Sequence, residues 1–392
     1  MCLHASNSPL SYIYSSVDPK ANSKSLSHNI SPITFKFRNF DSKDGQYEPL
    51  SRKFASGSKI HDLNDTRFLI TCGSAQSRLN STVALSNNPF ELKINQNEAS
   101  PLPASRQCHS CCSINSSLYL FGGRTSPGRS LPDAWKLSMN TTRSFDWIQL
   151  EDMPVSRSKH SSVAISDTEI LVVGGLSTDD TVNLFSIYST ITNTWTPLHI
   201  NIIKNRGTRN ILIEDLNLNS FSLIYNQTNQ IGSLIGGMKL GVPGSNEISD
   251  TVYNFSIDLQ SNQVDIWIHL KDELVARYGS RAVLLPAVGR LQDTILIVGG
   301  VSLKSLTSQT TVVQISQTES EVLLVPFDSP ESWSESPLFV GFDLFVDEED
   351  GSIWIVGGGA VCYLFGSKWN QLSCISLEKD MDSPLLILCP QC

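Results

Sequence analysis

The sequence predicts an all-β protein, a ring of repeated antiparallel sheets, and three observations carry that expectation. Five Gly-Gly doublets, Gly122-Gly123, Gly174-Gly175, Gly236-Gly237, Gly299-Gly300 and Gly357-Gly358, each close a short apolar run. The runs read SLYLFGG, EILVVGG, IGSLIGG, TILIVGG and SIWIVGGG, and a degenerate sixth, RFLITCG, ends at Gly73. Successive runs lie 50 to 63 residues apart, close to the ~50 residues of a kelch unit, a length that holds four strands. Six units predict a six-bladed kelch-type β-propeller, because repeats that each leave an apolar face uncovered must close on one another.

The units can be taken in order. The first starts near Arg52, uses Phe68 to Cys72 and Thr82 to Leu85, and has Phe90 where later units carry tryptophan. The second opens on Arg106, His109 and Ser110, continues through Leu118 to Phe121 and Asp133 to Leu137, and ends around Trp147. The third repeats this with Arg157, His160, Ser161, a strand from Asn183 to Tyr188, and Trp195. A long insert, Ile200 to Leu218, precedes the fourth, which continues through Asp250 to Asp258 and Trp267. The fifth starts near Arg277 and runs through Thr311 to Ile315, with Val322 to Val325 or the region of Trp333 as its fourth strand. The sixth starts near Phe339 and closes around Trp369. The apolar runs alternate weakly, as expected of strands buried on both faces, and the tryptophans are expected to fill space between neighbouring blades.

Outside the repeats, residues 1–50 are rich in Ser, Asn and Pro and read as a mostly flexible linker. Within them Ile33 to Phe37 is the one stretch suited to add a strand that clasps the ring. Residues 51–377 form the expected propeller, and 378–392 a tail whose apolar piece, Leu385 to Leu388, is suited to docking. No apolar run approaches the ~20 residues of a membrane span, and the N-terminus lacks the pattern of a signal peptide. A cytoplasmic or nuclear protein is therefore expected, with the cytoplasm as the assigned compartment. Nine cysteines fit no paired framework, so reduced thiols are expected. Cys111 and Cys112, adjacent on a strand, should point to opposite faces, one of them the core. Cys389 and Cys392 have metal-ligand spacing but no second pair to complete a zinc site.

FGGRTSP (Phe121 to Pro127) followed by Asp133-Ala-Trp, and above all GGGAVCYLFGSKWNQL (Gly357 to Leu372), resemble the propeller of the tRNA wybutosine-synthesizing protein 4 family. Ser51 to Ser56 is similar to that propeller's start, and the Ala-Val-Cys strand to the element that closes its last blade. The resemblance implies a protein whose full-length members carry a leucine carboxyl methyltransferase-like domain using S-adenosylmethionine. They methylate and methoxycarbonylate the hypermodified guanosine beside the anticodon of phenylalanine tRNA. Residues 1–50 offer no strand followed by a Gly-rich turn, so this chain is expected to bind no cofactor itself. Its expected partners are phenylalanine tRNA and a methyltransferase domain in cis or in trans. The propeller then serves as substrate or interdomain scaffold. A kelch adaptor for a protein partner is the alternative, although residues 1–50 resemble no adaptor domain.

No catalytic constellation or metal cluster stands out. His109, His160 and His269 fall in or beside repeat elements, where packing or a turn is the expected duty. Ser110 and Ser161 follow two of them, a spacing that sends the side chains to opposite faces of a strand. Asp347 to Asp350 read as a solvated hairpin. Arginines are the stronger candidates, since Arg52, Arg106, Arg157 and Arg277 recur at unit starts and Arg124 and Arg129 sit in a Gly/Ser/Pro loop. The formal net charge of −9 opposes autonomous nucleic-acid binding, yet residues 101–160 hold seven Lys/Arg against four Asp/Glu. Residues 328–350 hold eight acids and no Lys or Arg. A basic sector formed by Arg106, Arg124, Arg129 and Arg157 is therefore the expected tRNA-contact surface.

Overall fold

A computed structural model describes residues 35–39, 50–59, 68–74, 77–85, 90–91, 101–139, 144–177, 184–203, 211–240, 247–285, 293–302, 312–325, 327–328, 339–347, 352–362, 366–369 and 372–377. The calls on the tail 378–392 with Cys389 and Cys392, on most of the linker 1–50, on Trp333 and on Glu348 to Asp350 lie outside them. The fold is all-β in a β-propeller arrangement, with helix confined among the described residues to short 3-10 pieces such as Ile213–Leu216 and Glu273–Val275.

Sheets of four or five strands follow one another along the chain. The first joins Ser56–Ser58, Phe68–Thr71, Thr82–Leu85 and Phe90–Glu91; the second joins Ser110–Ile114, Ser117–Phe121, Ala134–Met139 and Phe145–Gln149. The third contains Ser161–Ala164, Glu169–Val173, Phe185–Ser189 and Thr194–Pro197. Ser222–Asn226, Ile231–Ile235, Thr251–Asp258 and Gln263–Lys271 make the fourth, and Arg281–Leu284, Thr294–Val298, Val312–Ser316 and Val322–Val325 the fifth. Val322–Val325 is thus the outer strand that the sequence left open.

The expectation of six blades, each folded from its own repeat, needs a correction. Five sheets are built that way, but the last is a composite of both ends of the chain. Phe342–Val346 and Ile353–Gly357 continue into Leu372–Leu377, which pairs antiparallel with Phe35–Asn39; that strand in turn pairs parallel with Phe327–Asp328. The clasp strand expected at Ile33 to Phe37 therefore lies two residues later. A second correction concerns Gly357 to Leu372. Gly359–Cys362 and Gly366–Trp369 form a separate hairpin, and the sheet continues only at Leu372–Leu377. The doublet Gly122-Gly123 is likewise followed by a hairpin, Arg124–Ser126 with Arg129–Ser130. The insert after the third unit also starts in register, since His199–Ile202 pairs parallel with Gln263–Lys271 of the fourth sheet.

The core lies between sheets rather than at one centre. Leu69 and Ala84 of the first sheet pack with Leu118 and Trp135 of the second, and Tyr119 and Phe121 of the second with Ile170 and Tyr188 of the third. Leu171 and Phe185 meet Leu234 and Phe255, Ile235 and Val252 meet Ile295 and Val313, and Leu296 and Val298 meet Phe342 and Ile355. Phe345 and Trp354 of the last sheet then pack on Phe68 and Val83 of the first, with Phe68 and Phe345 stacked at 4.7 Å. Each sheet needs its neighbours because burying one such side chain contributes roughly 1.5–3 kcal/mol that an isolated sheet forgoes. Trp195 fills an inter-sheet gap as expected, edge-on to Phe121 at 5.5 Å. Cys111 and Cys112 do face opposite ways, yet both are buried, one packing toward the first sheet and the other toward the third.

The doublets are the seams of this packing. The N–H of each second glycine donates to the carbonyl that opens the next unit: Gly73 to Arg106, Gly123 to Arg157, Gly175 to Leu218, Gly237 to Arg277, Gly300 to Phe339, and Gly358 back to Arg52. At Gly123, φ is +96° and an added Cβ would stand 2.8 Å from the His109 Cβ, so both conformation and space require glycine there.

Candidate functional site at the channel mouth

The innermost strands of all these sheets surround a channel of about 320 Å³. Units open in parallel fashion as Arg52 to Ser56, Arg106 to Ser110, Arg157 to Ser161, Leu218 to Ser222, Arg277 to Arg281 and Phe339 to Asp343. The third residue of each has a left-handed φ: Phe54, Cys108, Lys159, Ser220, Gly279 and Gly341, between +54° and +68°. These residues are linked around the mouth, since the N–H of Phe54 donates to Gly341, Cys108 to Phe54, Lys159 to Cys108, Ser220 to Lys159 and Gly279 to Ser220, at 2.6–3.0 Å. Left-handed backbone at non-glycine residues costs about 1–3 kcal/mol each, and it persists here because both neighbouring sheets hold the residue.

Just inside, the fifth residues line the channel: Ser56, Ser110, Ser161, Ser222, Arg281 and Asp343. Most of them button adjacent inner strands together. Ser56 Oγ accepts from Cys111 N–H (3.1 Å), Ser161 Oγ donates to Phe221 O (3.2 Å), and Ser222 Oγ donates to Ser280 O (3.1 Å). Asp343 accepts from Gly57 N–H (2.9 Å) and from Arg281 Nε (3.3 Å). Burial pushes the Asp343 carboxyl up, against the opposing charge of Arg281 and the hydrogen bonds it accepts. Ser110 departs from the pattern, for its buried hydroxyl has no hydrogen-bond partner.

His109 and His160 also line the channel, and none of their ring nitrogens makes a hydrogen bond of normal geometry. Burial pushes the His160 imidazole down to about 3, with the Arg157 charge acting the same way, and pushes His109 well down, helped by Arg106 and by His160. Both rings are neutral at pH 7. An unfolded chain protonates His160 near the usual 6.5, so stability is full above that pH and falls as pH drops toward 3. His109 adds to this slope, and Asp343, raised rather than lowered, opposes it above about pH 3.8. Urea unfolding at pH 4.5 and pH 7 should differ by roughly 2–3 kcal/mol on account of His160 alone. In His160→Gln the difference should shrink; an equal pH dependence in variant and parent would disprove this account.

Two of the four arginines expected to form a contact surface are not at the surface. Arg106 is fully buried, with Nη1 and Nη2 each 2.6 Å from an oxygen of Asp133 and further bonds to the carbonyls of Ala104 and Gly122. Arg157 is 2% exposed and donates to the carbonyls of Gly174 and Leu184. Arg52 and Arg277 do the same at Cys72 and Gly299. Burial pushes Arg157 and Arg277 down to about 10. The recurring arginine thus ties its own unit's second strand by its side chain, while its carbonyl ties the preceding sheet. Position in the repeat carried this signal; accessibility did not follow from it.

Arg124 and Arg129 lie on the hairpin after Gly122-Gly123, Arg129 exposed and Arg124 half-buried with its Nε unpartnered. What the sequence reading missed is Lys159 and Arg281. Lys159 is the third residue of its unit's opening, and Arg281 stands where four other units have serine and the last has Asp343. Burial raises the Cys108 thiol, while the charges of Arg124, Lys159 and Arg281 and a side-chain hydrogen bond from Arg124 act to lower it. Arg281 lines the channel from the fifth sheet and meets Asp343 of the last. Among the described residues no group of three His, Cys, Asp or Glu is placed to hold a metal ion, and no helix is long and apolar enough to cross a membrane.

The match to known proteins covers the same units. The family model described as "tRNA wybutosine-synthesizing protein 4, beta-propeller" matches residues 103–372. Relatives called tRNA wybutosine-synthesizing protein 4 include one from Candida albicans, 33% identical over 71% of this chain and 38% of the relative. Another, from Eremothecium gossypii, is 29% identical over 86% of this chain and 44% of the relative. A third, from Saccharomyces cerevisiae, is 28% identical over 82% of this chain and 43% of the relative. The chain thus matches about two-fifths of the length of these relatives. With a β-propeller arrangement on one side and a family model spanning most of its sheets on the other, this chain belongs to the tRNA wybutosine-synthesizing protein 4 β-propeller family.

Proposed function

We propose that this chain is a kelch-type propeller that presents phenylalanine tRNA to wybutosine-synthesizing chemistry in the cytoplasm. The chemistry itself, methylation and methoxycarbonylation with S-adenosylmethionine, is assigned to a methyltransferase domain acting in cis or in trans, and no residue of the propeller is assigned a catalytic role. Family membership supports the substrate class. The observation that carries the contact surface is the hairpin Arg124–Ser126 and Arg129–Ser130, whose two arginines have no carboxylate partner among the described residues. Cations with no carboxylate partner keep uncompensated charge for phosphate, and its binding releases counterions.

Phenylalanine tRNA is expected to bind weakly and to lose affinity as salt rises. Arg124→Gln with Arg129→Gln should weaken binding about 10-fold at low salt, because two phosphate contacts go with them. Filter binding or fluorescence anisotropy across a salt series reads this out. Unchanged tRNA affinity in the double variant would remove the hairpin from the contact surface, and absence of tRNA binding at any salt would favour a protein-adaptor role instead.

A further inference from the structure

We propose that the central channel is a binding site for a small organic monocarboxylate, held by the guanidinium fork of Arg281 and the hydroxyl of Ser110. Neither residue belongs to the arginine hairpin, and the site stands whether or not the chain binds tRNA.

The six inner strands pack in ring order, Ser56–Ser58, Ser110–Ile114, Ser161–Ala164, Ser222–Asn226, Arg281–Leu284 and Phe342–Val346, with the last against the first. Of the residues lining the channel they enclose, Arg281 and Asp343 are the only ones charged at pH 7, the two imidazoles being neutral. Hydrogen-bonding capacity decides what kind of group fits between them. Asp343 is taken up by the protein, since it accepts from the N–H groups of Gly57 (2.9 Å) and Leu344 (3.1 Å), from Arg281 Nε (3.3 Å) and from Ser56. Four donors leave a carboxylate little for an ammonium group. Arg281 is the reverse case. Its side chain keeps 30% exposure, Nε alone is bonded among the described residues, and the two terminal nitrogens remain as donors. That fork matches a planar carboxylate bidentately, and with Asp343 beside it one guanidinium accommodates a single negative charge better than a dianion. Among the serines at this level, Ser56, Ser161 and Ser222 are bonded to neighbouring strands, whereas the buried Ser110 hydroxyl has no partner. Turning it toward a ligand therefore breaks no bond of the fold. Its strand is three places from that of Arg281 in either direction round the ring, so the two line opposite walls. Further along the strands Val163, Leu223, Leu344 and Phe345 add apolar lining for the body of the acid. The volume of about 320 Å³ lies at the small end of ligand pockets, roughly 300–1,000 Å³.

Benzoate titrated by calorimetry into the full chain is the probe, with benzamide as an uncharged control of the same shape. Saturable benzoate binding, with benzamide weaker by about 10-fold or more because it lacks the charge-assisted pair, is the expected result. Arg281→Gln should weaken benzoate by about 10-fold or more, and Arg281→Lys, which keeps the charge and loses the fork, by a smaller factor. Ser110→Ala removes no bond within the protein, so its melting temperature should match the parent's while benzoate affinity falls about 3-fold or more. Should Arg281→Gln fail to fold because Asp343 is stranded, Ser110→Ala decides alone. No saturable heat with the parent, equal affinity for benzamide, tighter binding of inorganic phosphate than of benzoate, or unchanged benzoate affinity in Arg281→Gln or Ser110→Ala overturns the proposal. Competition separates two sources of the carboxylate. Displacement of benzoate by a capped Gly-Glu-Gly peptide identifies a side chain of a partner reaching into the mouth, and benzoate binding undisturbed by that peptide identifies a free acid. The tRNA reading fails separately, when tRNA does not bind and benzoate still does.

Discussion

Gly357→Val is expected to unfold or severely destabilise the protein, by about 3 kcal/mol or more. Gly357 has φ +68°, and a Cβ there would stand 2.1 Å from the carbonyl oxygen of Arg52, with Leu50 O at 3.1 Å. Both obstacles are backbone, so no side chain can rotate away. The neighbouring Gly358 N–H donates to that same Arg52 carbonyl, the bond that closes the last sheet on the first. A valine must therefore adopt a conformation closed to branched residues and also push apart the seam at which the ring closes. Chemical denaturation followed by tryptophan fluorescence measures the loss. Gly128→Val, on a hairpin where nothing lies within 4 Å of an added Cβ, should leave the midpoint nearly unchanged. Equal stability of Gly357→Val and the parent would show that the seam does not need glycine.

Arg106→Met should cost about 2–4 kcal/mol of stability, toward the lower part of the usual range for breaking a buried pair because Asp133 keeps 18% side-chain exposure. The substitution leaves the Asp133 carboxylate with the Trp135 indole N–H as its remaining strong donor, and leaves the Gly122 and Ala104 carbonyls short of one bond each. Adding Asp133→Leu to Arg106→Met should recover part of the loss, since the stranded charge goes with it. The outcome also separates two roles. A stability loss with tRNA affinity retained at low temperature fits the buried tie, whereas intact stability with lost tRNA binding would return Arg106 to the contact surface.

The doublets, their spacing and the Arg-x-x-His-Ser openings made the repeat order legible before any coordinates. The reason is that glycine is demanded wherever backbone meets backbone at a seam, and a seam recurs in every unit. Thr82–Leu85 lies within a stretch read as a strand, whereas in sequence Val322–Val325 is one of two alternatives, and its pairing with Val312–Ser316 decides between them. Less legible was the last sheet. Its antiparallel partner Phe35–Asn39 and its parallel edge Phe327–Asp328 come from distant parts of the chain, and long-range pairing leaves no local periodicity. The hairpin Gly359–Cys362 with Gly366–Trp369 looked like a continuation of the sheet because its composition is that of a strand.

By itself the sequence determined an all-β repeat protein of this family, the positions of the seams and the polar, serine-rich openings of the units. The tertiary structure alone decided which arginines are spent. Arg106 and Arg157 read as surface candidates in sequence and are buried at inter-sheet ties, whereas Arg281, unremarked in sequence, lines the channel and pairs with Asp343. A charge's role depends on which carbonyls and carboxylates the closed ring brings to it, and in a propeller those come from the neighbouring unit or the one opposite.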